Sequence, residues 1–217
     1  MGGLRMLFEQ ALAAQKIWHR QLDFGSFQDE LIQIMRELAR EVLKKSPLKL
    51  VLTGFMGSGK TQIGRLLAQR LQGHLPFVDL DDVIVKEAGQ SIAEIFASQG
   101  EEAFRSLERQ CLLEQLQRSG SLILATGGGA LAQKGMEEVV HSLEALVIYL
   151  DVRLETALER IGDDPTRPLL QGGRAKIESL YTMRRPLYEA AADLRLEAQG
   201  RPEEIVDTIL EAFEWND

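Results

Sequence analysis

From Leu48 onward, short apolar runs alternate with longer stretches whose apolar residues recur every three or four positions. The runs occupy residues 48–52, 77–80, 122–125, 146–150 and 194–196. Their alternation with helical patterns predicts βαβ units and a parallel sheet covered on both faces. Five strands is the natural count. In open sheets of this kind ligands bind beyond the carboxyl ends of the strands, so the residues after each run are the ones to inspect.

The first 47 residues read differently. Leu4, Leu7, Phe8, Ala11, Leu12, Trp18 and Leu22 make one helical stripe, broken at Asp23-Phe24-Gly25. Ser26 stands at an N-cap position, and Phe27, Leu31, Ile34, Met35, Leu38 and Val42 make a second stripe that Pro47 ends. The expectation is an αα-hairpin over residues 1–47 joined to a main domain over 48–217. Residues 1–47 carry a net charge of +1 and the remainder −9, which supports a boundary there. A two-helix apolar stripe needs a partner surface, either the main domain or a second subunit.

Composition narrows the class. With 45% hydrophobic and 27% charged residues among 217, the chain is neither a disordered tail, a collagen-like fibre nor a disulfide-stapled miniprotein. A net charge of −8 argues against a general nucleic-acid binder. No apolar run is long enough to span a bilayer, and no compact apolar leader opens the chain. The single cysteine, Cys111, lies on a helical apolar pattern and suits core packing in a reducing compartment. A cytoplasmic protein is expected, with no membrane or nucleic-acid partner.

The chemistry begins where the first run ends. Gly54-Phe55-Met56-Gly57-Ser58-Gly59-Lys60-Thr61 satisfies the pattern of a phosphate-binding loop between a strand and an amphipathic helix. Its glycines let several backbone N–H groups converge on one anion, Lys60 reaches the outer phosphates, and the Thr61 hydroxyl suits Mg²⁺. After the second run stands Asp79-Leu80-Asp81-Asp82. On an extended chain Asp79 and Asp81 share a face, one for a metal's water shell and one for an acceptor hydroxyl, while Asp82 points away and is expected to cap the next helix.

After the third run, Gly127-Gly128-Gly129 reads either as a close backbone approach to a ligand or as a sharp connection. Arg105, taken singly, reads as a solvated charge on a helix whose apolar face is Ile95, Phe96, Phe104 and Leu107. Arg167 lies in a segment with glycines at both ends and prolines inside, the composition of a lid over about 162–173. Arg184 and Arg185 precede Pro186-Leu187-Tyr188, and periodicity does not say which of the two faces a site.

Together these motifs resemble the shikimate kinase family over residues 48–217. The phosphate loop, Asp79 with Asp81, the stretch from Ser91 to Phe96 followed by Gly100-Glu101 and Phe104-Arg105, the triple glycine, Arg167-Pro168-Leu169-Leu170 and Arg184 all stand in the family's order. The resemblance implies an α/β fold, a P-loop three-layer α/β/α arrangement with a five-stranded parallel sheet, a lid and a substrate-binding region. It implies ATP and Mg²⁺ as cofactors and shikimate as the small-molecule acceptor, phosphorylated on its 3-hydroxyl.

Carried over position by position, Gly57, Ser58, Gly59, Lys60, Thr61 and Gln62 would hold the nucleotide, with Arg160 near adenine. Gly200-Arg201-Pro202 resembles the adenine loop, which brings Arg201 into the nucleotide set. Thr61 and Asp79 would serve the metal. Asp81 would bind the ring hydroxyls and accept a proton. Arg105 and Arg184 would pair with the carboxylate, Gly127, Gly128 and Gly129 would present backbone to the substrate, and Arg167 would close onto the phosphoryl group. The hairpin departs from the family pattern; a monomer is expected, with a dimer through the hairpin as the alternative. Two rival readings are a ligand-sensing regulatory domain of the same fold and another small-metabolite kinase such as a gluconate kinase.

Overall fold

The computed structural model describes residues 47–72, 75–162 and 173–213. The expected αα-hairpin of residues 1–47 lies outside the described residues apart from Pro47, and the expected lid lies outside them over residues 163–172.

The chain runs β1 (Lys49–Thr53), α1 (Lys60–Arg70), β2 (Phe77–Asp79), α2 (Leu80–Ala88), α3 (Ile92–Gln117), β3 (Leu122–Ala125), α4 (Met136–Ser142), β4 (Leu146–Asp151), α5 (Leu154–Ile161), α6 (Gly173–Ala191), β5 (Leu194–Glu197) and α7 (Pro202–Ala212). Five strands form one sheet in the order β2-β3-β1-β4-β5, and every pairing is parallel. The α/β class and the strand count expected from the apolar runs are both present. β1 and β3 are buried along their whole length, because helices cover both faces and leave no polar side to the strand. β5, at the edge, alternates between half-buried and exposed residues.

Lys49 interrupts the first apolar run without leaving the interior. It is 3% exposed, and its ammonium donates to the carbonyls of Arg118 at 2.6 Å and Gly120 at 2.5 Å. A buried cation is retained because those two carbonyls after the end of α3 receive it. Burial pushes the ammonium below the ordinary lysine value.

The core on one face of the sheet joins Val51, Leu122 and Leu124 to Leu80, Ile84, Ile95, Phe104 and Leu112 from α2 and α3. Cys111 is fully buried there, as its helical spacing predicted. α3 begins at a capping box, with Ser91 Oγ accepting from the Glu94 N–H and Glu94 accepting from the Ser91 N–H. It breaks at Gly100, where φ is 82° and ψ 175°.

The strand order reverses at β1, with β3 on one side and β4 on the other. The carboxyl ends of β1, β2, β3 and β4 carry the phosphate loop, Asp79, the triple glycine and Asp151 respectively. A switch point of this kind opens a crevice for ligands.

Candidate active site

The phosphate loop curls around its own lysine. Lys60 Nζ donates to the carbonyls of Gly54 at 2.9 Å and Phe55 at 3.0 Å and lies 3.3 Å from Ser58 Oγ. Gly57 has φ 78°, and a Cβ there would come within 2.6 Å of the Ala157 carbonyl on α5, so only glycine lets the loop pass. Gly59, with φ 89°, is the N-cap of α1, and its carbonyl accepts from the Ile63 N–H at 2.9 Å. The first turn of α1 therefore points its N–H groups and positive dipole end into the loop.

Thr61 and Asp79 meet at the rim. The Thr61 hydroxyl donates to Asp79 Oδ2 at 2.7 Å, tying the first turn of α1 to the end of β2. Arg160 on α5 donates to the Gly57 carbonyl at 3.4 Å and the Gln199 carbonyl at 3.2 Å, so it ties the phosphate loop to the segment after β5. Arg201 is the exposed N-cap residue of α7, and its guanidinium is held by Glu204 of the same helix at 2.7 Å. Gln62 is exposed on α1, along a groove it shares with Thr61, Arg65 and Glu203.

The aspartates differ from their expected geometry. α2 starts at Leu80, so Asp81 lies in a helical first turn and not on the extended strand. Asp79 is itself the N-cap, its Oδ1 accepting from the Asp81 N–H at 3.1 Å, and Asp82 sits inside the helix. The expectation that Asp82 caps α2 is thus incorrect. A cap must precede the first helical residue, and the helix begins three residues earlier than that reading requires. Asp81 still reaches the centre: a Cβ on Gly127 would lie 3.0 Å from Asp81 Oδ1.

Around the triple glycine the polar groups converge. Glu108 Oε1 stands 2.7 Å from the position of a Gly127 Cβ, and the Arg105 guanidinium occupies the space of a Gly129 Cβ. Arg105 is no solvated charge. Its side chain is 17% exposed, pairs with Glu108 Oε2 at 2.6 Å, and lies over the Phe104 ring at 5.1 Å. From the other side Arg184 Nη1 donates to the Gly128 carbonyl at 3.1 Å, and the Tyr188 hydroxyl donates to the same oxygen. A Gly128 Cβ would be 3.4 Å from the Met56 nitrogen, so this turn adjoins the phosphate loop.

Of the two neighbouring arginines, Arg184 is buried toward the turn. Arg185 instead pairs with Asp151 at the end of β4, 3.4 Å away. Asp151 also receives Arg195 at 2.6 Å and the Tyr149 hydroxyl at 2.9 Å, so it anchors α6 against β4 and β5. Arg167 lies outside the described residues.

Two residues at this centre were not assigned a role from the sequence. Glu108 follows Arg105 by three positions and Tyr188 follows Arg184 by four, spacings that put each pair on one helix face. That spacing was the signal available. Glu108 is 1% exposed, and burial pushes its carboxyl above the usual carboxylate range, with Arg105 opposing and Asp81 reinforcing the shift.

A family profile described as Shikimate kinase matches residues 56–214. The chain is 42% identical over 161 residues to a shikimate kinase of Persephonella marina, covering 73% of this chain and 94% of that one. It is 41% identical over 176 residues to a shikimate kinase of Salinibacter ruber, covering 76% and 84%. Among solved structures, a shikimate kinase from Acinetobacter baumannii in complex with shikimate superimposes with a TM-score of 0.72 at 35% identity, covering 79% of this chain and 96% of that one. A phosphate loop beside a glycine turn flanked by paired arginines, on a sheet of this order and with relatives of this extent, places the chain in the shikimate kinase family.

Proposed function

We propose that the chain transfers the γ-phosphoryl group of ATP to the 3-hydroxyl of shikimate. One observation carries this reading: the phosphate loop and a cluster of two arginines and two carboxylates meet on the Gly127–Gly129 turn, with the Met56 nitrogen beside Gly128. A phosphate donor and a hydroxylated carboxylate acceptor placed on those two surfaces would lie side by side.

Phosphoryl transfer is mostly positioning and charge stabilisation. The loop N–H groups and Lys60 hold the phosphates, flanked by Gly57, Ser58, Gly59 and Gln62. Arg160 supports the adenine side by tying the loop to residues 199 and 200, and Arg201 belongs to that side through its place at the start of α7.

The Thr61 hydroxyl and the Asp79 carboxylate, 2.7 Å apart, are hard oxygen donors of the kind Mg²⁺ takes while keeping its waters. Once bound, the ion neutralises charge developing on the phosphoryl oxygens. Arg105 and Arg184 approach the turn from opposite sides and suit a planar carboxylate, which two guanidinium groups grip at a fixed angle. Asp81 accepts the proton of the attacking hydroxyl. The hydroxyl oxygen forms the new bond to phosphorus, the bond to the β-phosphate oxygen breaks, and ADP leaves. Arg167 brings positive charge to the transferring group.

All the groups needed for turnover are in the chain, which favours an enzyme over a ligand sensor. A cytoplasmic location fits the single buried cysteine.

The test is to replace Arg105 and Arg184 separately by alanine. Each loses charge-assisted hydrogen bonds, so KM for shikimate should rise about 10- to 100-fold with KM for ATP little changed. An unchanged KM for shikimate in both variants contradicts the reading.

A further inference from the structure

Two donors share one acceptor at the centre of the site. Arg184 and Tyr188 stand one turn apart on α6, are 5% and 1% exposed, and both donate to the Gly128 carbonyl. A carbonyl oxygen has two lone pairs, so both are taken. Arg184 is also the group that the proposed reaction asks to grip the acceptor's carboxylate. Moving it there takes a donor away from a partly buried oxygen, and a carbonyl shielded from water that loses a donor costs stability.

We infer that Tyr188 is a positioning residue for the acceptor site: its hydroxyl keeps the Gly128 carbonyl satisfied, which frees Arg184 to exchange that carbonyl for the substrate carboxylate. The inference rests on the assignment of Arg184 to the acceptor. Peptide planarity extends the effect. With the Gly128 oxygen fixed toward α6, the Gly129 N–H is fixed in the opposite direction. Gly129 is the residue whose missing Cβ makes room for Arg105, so one phenol sets the turn between both arginines.

The phenol is itself held. Its ring packs on Tyr149 at a centroid distance of 5.4 Å, and Tyr149 is anchored to Asp151. Burial pushes the Tyr188 hydroxyl up to about 12 against the opposing charge of Arg184, so it remains a donor throughout the neutral range.

Tyr188→Phe keeps the ring and removes only the donor. Without it the Gly128 carbonyl depends on Arg184 alone, and shikimate must compete with the turn for that guanidinium. In the full chain with Mg·ATP, KM for shikimate should rise about 3- to 10-fold, while kcat and KM for ATP stay within about twofold. In an Arg184→Ala background there is no guanidinium to release, and the same change should then add less than about twofold to KM for shikimate.

An unchanged KM in Tyr188→Phe, with Arg184→Ala impaired, overturns the inference and leaves the acceptor assignment standing. A lowered melting temperature with both Michaelis constants rising together marks a packing role and also overturns it. An Arg184→Ala variant with normal KM for shikimate overturns both the inference and the assignment beneath it.

Discussion

Gly129 leaves no room for a side chain, since its missing Cβ would fall 2.5 Å from the Arg105 Cζ and closer still to both terminal nitrogens. Arg105 in turn is held by Glu108, so it does not swing aside freely. Gly129→Ala is therefore expected to displace the guanidinium and raise KM for shikimate about tenfold, with KM for ATP little changed, as steady-state kinetics on both substrates will show. The sequence made the triple glycine legible as a place of close approach, because three glycines in a row are entropically costly. It did not reveal what approaches. The occupants, Arg105 and Glu108 from α3 and Arg184 and Tyr188 from α6, come from elements far apart in the chain. The Asp79–Asp81 geometry differed in another way: the pair was recognised, but a strand three residues long passes straight into a helix at Leu80, with Asp79 as its N-cap, so the two carboxylates do not share a strand face.

α6 carries Arg184 and Tyr188 inward and Arg185 toward Asp151, so Asp151 decides how this helix sits on β4. Asp151 accepts from Tyr149, Arg185 and Arg195. The two arginine side chains are 42% and 49% exposed, so solvent screens both pairs. Asp151→Asn should lower stability by about 1 to 2 kcal/mol, read from urea unfolding midpoints. The strands were legible to within one or two residues because each centres on a short apolar run, continuous in β3 and β4, where both faces are covered, and interrupted in the half-buried β2 and the edge strand β5. The break in α3 was not, since Gly100 stands between residues that all favour helix, and only its φ of 82° exposes the kink.

The whole sheet, the phosphate loop and every described group of the site lie between Lys49 and Phe213. Removal of residues 1–46 should therefore leave shikimate-dependent kcat/KM within about threefold of the full chain, because the remaining residues carry their own core and site. A loss beyond tenfold would assign the N-terminal segment a part in the reaction. The central claim is that a phosphate loop and an acceptor cluster on one glycine turn perform a single transfer, with Asp81 taking the proton. ADP release from Mg·ATP, with and without shikimate, in the wild-type chain and in Asp81→Asn, tests it most directly. The account predicts release that depends on shikimate and falls about 100-fold or more in Asp81→Asn. ADP release indifferent to shikimate, or an Asp81→Asn variant that turns over at the wild-type rate, would contradict it.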